Sequence, residues 1–242
     1  MKQMTSILRF HLTTFLRDGK YVVPLTLLVL LQFTLVFAIM RHPADFLESV
    51  FLMEIFTFIV AVSLGFGASK WTDPVTEQLL ILRTKKGITY YSVHVIFLLI
   101  VSAGLSLVSL LIPTLLHLLN PGMFERFTLN YFVLSYLLFL GSSFAGMSLG
   151  ALFHPRLVTT SSNVPLYVSA IGLMAITRNP VESQYAILRF VLWIFPNLSA
   201  HQSLMSNQDF TLLNVVPLAI ISLVYGIIYS VIKVVGLSRR KF

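Results

Sequence analysis

The sequence predicts an all-α membrane protein folded as a single domain, 1–242. It has six transmembrane helices and an N-terminal amphipathic helix in the membrane interface (1–20). A short helix stands in the polar loop 71–91, and a re-entrant helical segment (178–210) lies before the last span. Three observations predict this. Hydrophobic residues make up 57% of the chain and charged residues 11%, with a mean hydropathy of +0.87, whereas a soluble domain carries roughly a quarter charged residues. Charge-poor stretches of about 20 residues, enough helix to cross hydrocarbon, recur along the chain. Lysine and arginine collect in alternate loops.

The N-terminal helix follows from spacing. Met4, Ile7, Leu8, His11, Leu12, Phe15 and Leu16 recur at helical intervals, with Thr5, Arg9, Thr13 and Arg17 off that face and Gly19 as a stop. It is too charged to span, and its basic side chains suit anionic headgroups. A cleaved signal peptide is not expected, because the following apolar stretch is too long and no small-residue cleavage site follows it. The spans are expected at 21–40, 50–67, 92–119, 131–152, 158–176 and 212–235. Glu54 is the charge within the second; it either reaches headgroups near the outer end or belongs to a permeation path. His94 and His117 sit near the ends of the third span, too far apart to share a metal. Gly141, Ala145, Gly146 and Gly150 with Ser142 and Ser143 form a small-residue ridge suited to close helix packing. The fifth span opens on Thr159, Thr160, Ser161, Ser162 and Asn163, which either bond to other helices or line a path.

In the loop 71–91, Asp73 is an N-cap, Pro74 suits the first turn and Gly87 a stop. Glu77 precedes the apolar run 79–82, and Arg83, Lys85 and Lys86 follow, an order that suits the helix dipole. The loop is either a solvated connector or a docking helix with Leu80 at its centre and Glu77 and Arg83 at its rim. The segment 185–195 is apolar but too short to cross, so it lies on the membrane or dips in and returns through 198–206, anchored by Tyr185 and Trp193. The basic residues favour the N-terminus, the loop 71–91, the turn 153–157 and the C-terminal tail, with Lys233 counted among them. That places both termini in the cytoplasm.

Net charge is +8, but the basic residues form no single patch, so nucleic acid is not an expected partner. Without cysteine there are no disulfides or thiolate metal sites. Gly65-Phe66-Gly67 ends a membrane span instead of joining a strand to a helix, and no phosphate-binding loop is present. No His/Asp/Glu cluster has metal-ligand spacing.

This order of parts resembles the permease subunits of ATP-binding-cassette (ABC) type-2 exporters along essentially the whole chain. Glu77, the run 79–82, Thr84 and Tyr90 are similar to that family's acidic–apolar–Ser/Thr–Tyr pattern; where the family often has Gly after the acid and Pro after the Ser/Thr, this chain has Gln78 and Lys85. The resemblance implies a half-transporter in the cell membrane, as in a bacterial plasma membrane. Two permeases pair, identical or different, and sit on two cytoplasmic ATPase subunits. Coupling to the ATPase falls to Glu77, Leu79, Leu80, Arg83, Lys85 and Lys86, with His154 and Arg156 as a second contact. Glu54, Thr159, Thr160 and Asn163 line the path; Tyr185, Arg189, Trp193 and Pro196 form part of the outer gate. The substrate expected is an amphiphile: a membrane-active peptide, an antibiotic or a lipid. The chain itself is no enzyme and binds no cofactor, ATP and Mg belonging to the partner. The competing class is an ATPase-independent secondary carrier or channel, for which internal repeats and several buried charges are expected. An intramembrane enzyme, a third class, lacks paired catalytic residues in the sequence.

Overall fold

The computed structural model describes residues 2–19, 21–39, 43–70, 72–84, 87–157, 164–206 and 210–239. The chain is helical along most of this length. Helix α1 (Lys2–Asp18) turns at Gly19, in the left-handed region, into α2 (Val22–Thr34), which continues as a wider π-wound turn over Leu35–Ile39. Then come α3 (Phe46–Ala68), α4 (Pro74–Thr84), α5 (Gly87–Leu119), α6 (Leu129–Ala151), α7 (Val164–Gln184), a single turn α8 (Arg189–Leu192), α9 (Leu198–Ser206) and α10 (Leu212–Arg239). The only sheet pairing among the described residues is a two-residue parallel bridge, Ala44–Asp45 with Phe124–Glu125.

Among the described residues, four helices are long and apolar enough to cross a membrane: α3, α5, α6 and α10. A fifth candidate is the pair Gln3–Asp18 and Val22–Phe37, bent by 67°. The fifth expected span, 158–176, begins with residues outside those described. Its described part belongs to α7, whose last two turns carry Arg178, Asn179 and Glu182, and α7 is not among the four.

Helices α3, α6 and α10 form the centre of the bundle, and glycine brings them together. An added Cβ on Gly65 would lie 2.0 Å from the Met147 carbonyl oxygen, and one on Gly150 would lie 2.0 Å from that of Val62. Backbone therefore meets backbone across the α3–α6 seam, as the small-residue ridge predicts. On α10, Gly226 accepts the ring of Phe144. Helix α5 flanks this core, joined by Ser106 Oγ–H donating to Ser143 Oγ at 3.1 Å. Gln32, Thr57 and Ser109, all fully buried, join α2, α3 and α5: Gln32 Nε2 donates to Ser109 Oγ, which lies 2.6 Å from Thr57 Oγ1. Such neutral bonds join polar side chains where lipid offers no partner, though the Gln32 carbonyl oxygen has none among the described residues.

Two local expectations change. Gly87, expected to end α4, belongs to α5 (Gly87–Leu119); the described part of α4 runs to Thr84, and residues 85–86 lie outside the described residues. The apolar segment 185–195 is not one helix: a 3-10 turn over Ala186–Leu188 and the single turn of α8 lead to Pro196, which removes a backbone donor and breaks the run.

Candidate functional site

Two groups of buried ionisable residues stand out, one at the α4 end of the bundle and one on α3 beneath α9.

At the α4 end, Asp73 caps the helix through Oδ2, which accepts from the Val75 N–H at 3.1 Å. Pro74 occupies the first turn, where its missing N–H matters least. One turn later Glu77 points under the helix and is only 5% exposed. Its Oε1 accepts from the Tyr91 hydroxyl at 2.7 Å and from Arg156 Nη1 at 3.5 Å, and Arg156 Nη1 also donates to the Tyr91 oxygen at 2.7 Å. Glu77 thus ties α4 to α5 and to the turn after α6. The expectation of a rim charge differs from this placement: the cation and hydroxyl that hold the carboxylate lie inward.

His154 stands beside the same carboxylate, Nε2 3.8 Å from Glu77 Oε2, while its Nδ1 accepts the Arg156 backbone N–H at 3.2 Å. Burial, then the charges of Lys233 and Arg156, lower its pKa from 6.5 to about 3. Arg156 already neutralises Glu77, so the imidazole stays neutral. Lys233, read in the sequence as a charge near the tail, is only 2% exposed and donates to His94 Nδ1 at 3.2 Å. His94 in turn meets the edge of the His11 ring of α1, centroids 5.2 Å apart. The cavity among Ser69, Thr72, Glu77, His94, His154 and Lys233 is about 10 Å³, room for one water and no substrate.

The other side of α4 is apolar and open. Val75, Leu79 and Leu82, spaced to share one face, are 62%, 61% and 73% exposed. Leu80 is instead half-buried, packed with Ile81 against Ile7, Tyr90 and Tyr91. Arg83 is exposed, and its carbonyl accepts from Gln3 Nε2 of α1 at 2.8 Å. Lys85 and Lys86 lie outside the described residues.

In the second group, Glu54 of α3 is fully buried. His201 Nδ1 of α9 is hydrogen-bonded to its Oε1 at 2.8 Å, and His201 Nε2 lies 3.4 Å from Ser222 Oγ of α10. Glu54 Oε2 has no hydrogen-bond partner among the described residues. The sequence reading had no partner for Glu54; the residue that bonds it is 147 positions away. Acid, imidazole and hydroxyl follow the order of a hydrolytic triad. However, a Cβ on Gly141 would lie 3.0 Å from Ser222 Cβ and 2.8 Å from the Ala219 carbonyl oxygen. Helix α6 therefore presses on this face and leaves no place for a reacting carbonyl. Thr159, Thr160 and Asn163, expected beside Glu54 in the path, lie outside the described residues.

The segment leading to α9 is pinned by backbone carbonyls. Arg178 donates to Glu182 Oε1 at 2.7 Å, to the Phe195 carbonyl at 2.7 Å and to the Tyr225 hydroxyl at 3.1 Å. Tyr225 donates to the Trp193 carbonyl at 2.6 Å, and Tyr229 to that of Ile194. Tyr185, Arg189 and Trp193 are exposed beside Ile187 and Phe190, whereas Pro196 is buried. Among the described residues no group of three or more His, Cys, Asp or Glu could hold a metal.

This fold and these buried groups define an all-α, multi-pass membrane protein. No family model, curated protein or solved structure matches the chain.

Proposed function

We propose that the chain is the transmembrane subunit of an ABC exporter, driven by separate ATPase subunits that carry ATP and Mg, and that with a second permease it forms the path for an amphiphilic substrate. The observation that carries this reading is the two-sidedness of α4. Its inner side is fastened through Glu77 to Tyr91 of α5 and to Arg156 beyond α6, while Val75, Leu79 and Leu82 face outward and are exposed among the described residues. A push on the outer side is transmitted to two membrane helices without passing through a flexible loop. In this reading α4 and both termini are cytoplasmic, Glu54 belongs to the path between permeases, and the exposed apolar residues before α9 form the outer gate of a six-span subunit in the cell membrane.

The test is Leu79→Asp. Burying an unpaired charge against a partner is costly, so ATPase association weakens at least ten-fold, about 1.4 kcal/mol. Transport is lost, while insertion and thermal stability stay normal. Unchanged transport with an intact ATPase complex sinks the proposal, as does ATP hydrolysis by the purified chain alone. The chain has no cysteine, so Lys86→Cys and Gln184→Cys report sidedness without background; the first is labelled only from the cytoplasm, the second only from outside.

A second reading, an ATPase-independent carrier coupled to protons, is favoured by the Glu54–His201 pair, because buried acid–imidazole pairs inside a bundle are the material of proton relays. Vesicles holding this chain alone discriminate the two: substrate flux driven by a pH gradient and abolished by Glu54→Gln supports the carrier.

A further inference from the structure

Glycine inside a helix is unfavourable unless something uses the space it leaves. Gly65, Gly141, Gly146, Gly150 and Gly226 each have a neighbouring helix against them. Gly104, at the middle of α5, does not: apart from its chain neighbours and its own helix backbone, no atom of the described residues lies within 4 Å of where its Cβ would stand. Gly104 lines a groove of about 290 Å³ bounded by Leu12 and Phe15 of α1, Leu25 of α2, and Ile100 and Val108 of α5. All of these walls are apolar. The groove forms because α1 and α2 meet at a 67° bend and span the corner that α5 leaves.

We propose that this groove binds one acyl chain of an anionic membrane phospholipid. It opens at the middle of a helix of membrane-crossing length, among exposed apolar residues of α2 and α5 such as Leu27, Leu30, Ile100 and Val108, so lipid tails are what surrounds it. A second copy's helix is a poor occupant. Close helix pairing needs small residues four apart, and the positions four before and four after Gly104 are Ile100 and Val108, both bulky. A helix with side chains is about 10 Å or more across, whereas the groove is recessed between elements and suits a thin chain. The headgroup assignment rests on charge. Arg9 is exposed on α1, one turn from the groove-lining Leu12, and Arg17 is exposed next to Leu16, another lining residue. Cations on an interfacial helix favour anionic headgroups. The site holds whether or not the chain works with an ATPase.

The test is native mass spectrometry of the full chain, taken from vesicles of equal phosphatidylglycerol and phosphatidylethanolamine and washed extensively in detergent. Wild type retains one phosphatidylglycerol per chain. Gly104→Leu fills the groove without meeting protein atoms at its Cβ and lowers that occupancy about ten-fold. Leu16→Gln, at a lining residue 62% exposed, lowers it without depending on a core position, and Leu118→Phe, on the same helix outside the groove, leaves it unchanged. Equal retention by wild type, Gly104→Leu and Leu16→Gln overturns the proposal. So does equal occupancy by the two lipids, or an intact lipid adduct accompanied by dissociation of a dimer in Gly104→Leu.

Discussion

Glu77 and Glu54 are both buried carboxylates with an imidazole in reach, yet they are held differently. Glu77 has a guanidinium at 3.5 Å and a tyrosine hydroxyl at 2.7 Å, and its histidine stands back at 3.8 Å, neutral. Glu54, about 22 Å along α3 from Ser69 at helical rise, has its histidine at 2.8 Å, and its other oxygen lacks a described partner. An arginine and a tyrosine hydroxyl from two other elements hold Glu77 and make a fixed joint. Glu54 has one described hydrogen-bond partner, an imidazole, and no arginine. The α4 end is therefore a joint of several bonds, and the α3–α9 contact rests on one.

The largest expected effect breaks the fixed joint. Arg156→Ala leaves Glu77 buried with a hydroxyl as its remaining close partner, a loss of about 3 kcal/mol on the scale of broken buried ion pairs. Adding Glu77→Gln restores much of that, because no uncompensated charge remains. Chemical unfolding of the purified chain in detergent measures both. If Arg156→Ala costs less than about 1 kcal/mol, Glu77 is not held as a buried charge, and the contrast with Glu54 disappears.

Next is His201→Ala, expected to cost about 2 kcal/mol, because it removes the described hydrogen-bond partner of Glu54 and leaves a buried polar group unsatisfied. Glu54→Gln, with His201 kept, costs about 1 kcal/mol, since an amide still accepts from Nδ1. Unfolding curves for the two variants and Arg156→Ala set the order. A His201→Ala loss equal to that of Arg156→Ala makes the single Glu54–His201 bond as strong a joint as the one at Glu77.

How much of this contrast was legible in the sequence depends on distance along the chain. The membrane class, the helices over α3, α5, α6 and α10, and the start of α4 at Asp73-Pro74 follow from local composition and cap residues, which need no knowledge of neighbours. The small residues of α6 announced a close seam, but not that Gly65 faces it. Glu77 was read at the rim because α4 carries apolar residues on several sides. Only the positions of Tyr91 and Arg156 decide which side is inward. His201 carries no local signal in the returning limb 198–206, because its partner lies in another span. Lys233 was counted with the tail charges; its burial follows from α10 continuing to Arg239 past the α4 cluster. Periodicity gives a helix and its apolar face, but the pairing of remote polar residues is a property of the packed bundle.

A pH titration sharpens the same contrast. His154 has its pKa lowered to about 3 when folded against roughly 6.5 when unfolded. Between these values the unfolded chain binds the extra proton, so the contribution of the neutral imidazole is complete above about pH 6.5 and is lost as pH falls toward 3. Thermal midpoints measured from pH 7.5 to 5 should fall, and His154→Asn should flatten the slope. An unchanged slope assigns the acid sensitivity to groups other than His154.

The smallest expected effect is at Ser222, the last member of the Glu54–His201–Ser222 line. Its oxygen is 3.4 Å from His201 Nε2, at the long limit for a hydrogen bond. Interhelical bonds of this kind in membranes contribute about 0.6 kcal/mol on average. Ser222→Ala should therefore cost about 0.5 kcal/mol or less and leave transport unchanged, because the face of Ser222 is already covered by α6 at Gly141. If the serine were a nucleophile, the same substitution would abolish turnover with no change in stability, and an active-site phosphonate would label the wild type only. If it were a proton carrier, transport would fall while the unfolding curve stayed put. Paired measurement of transport and stability in Ser222→Ala separates these outcomes. It also decides whether the α3–α9 contact ends at the acid–imidazole bond or extends into α10.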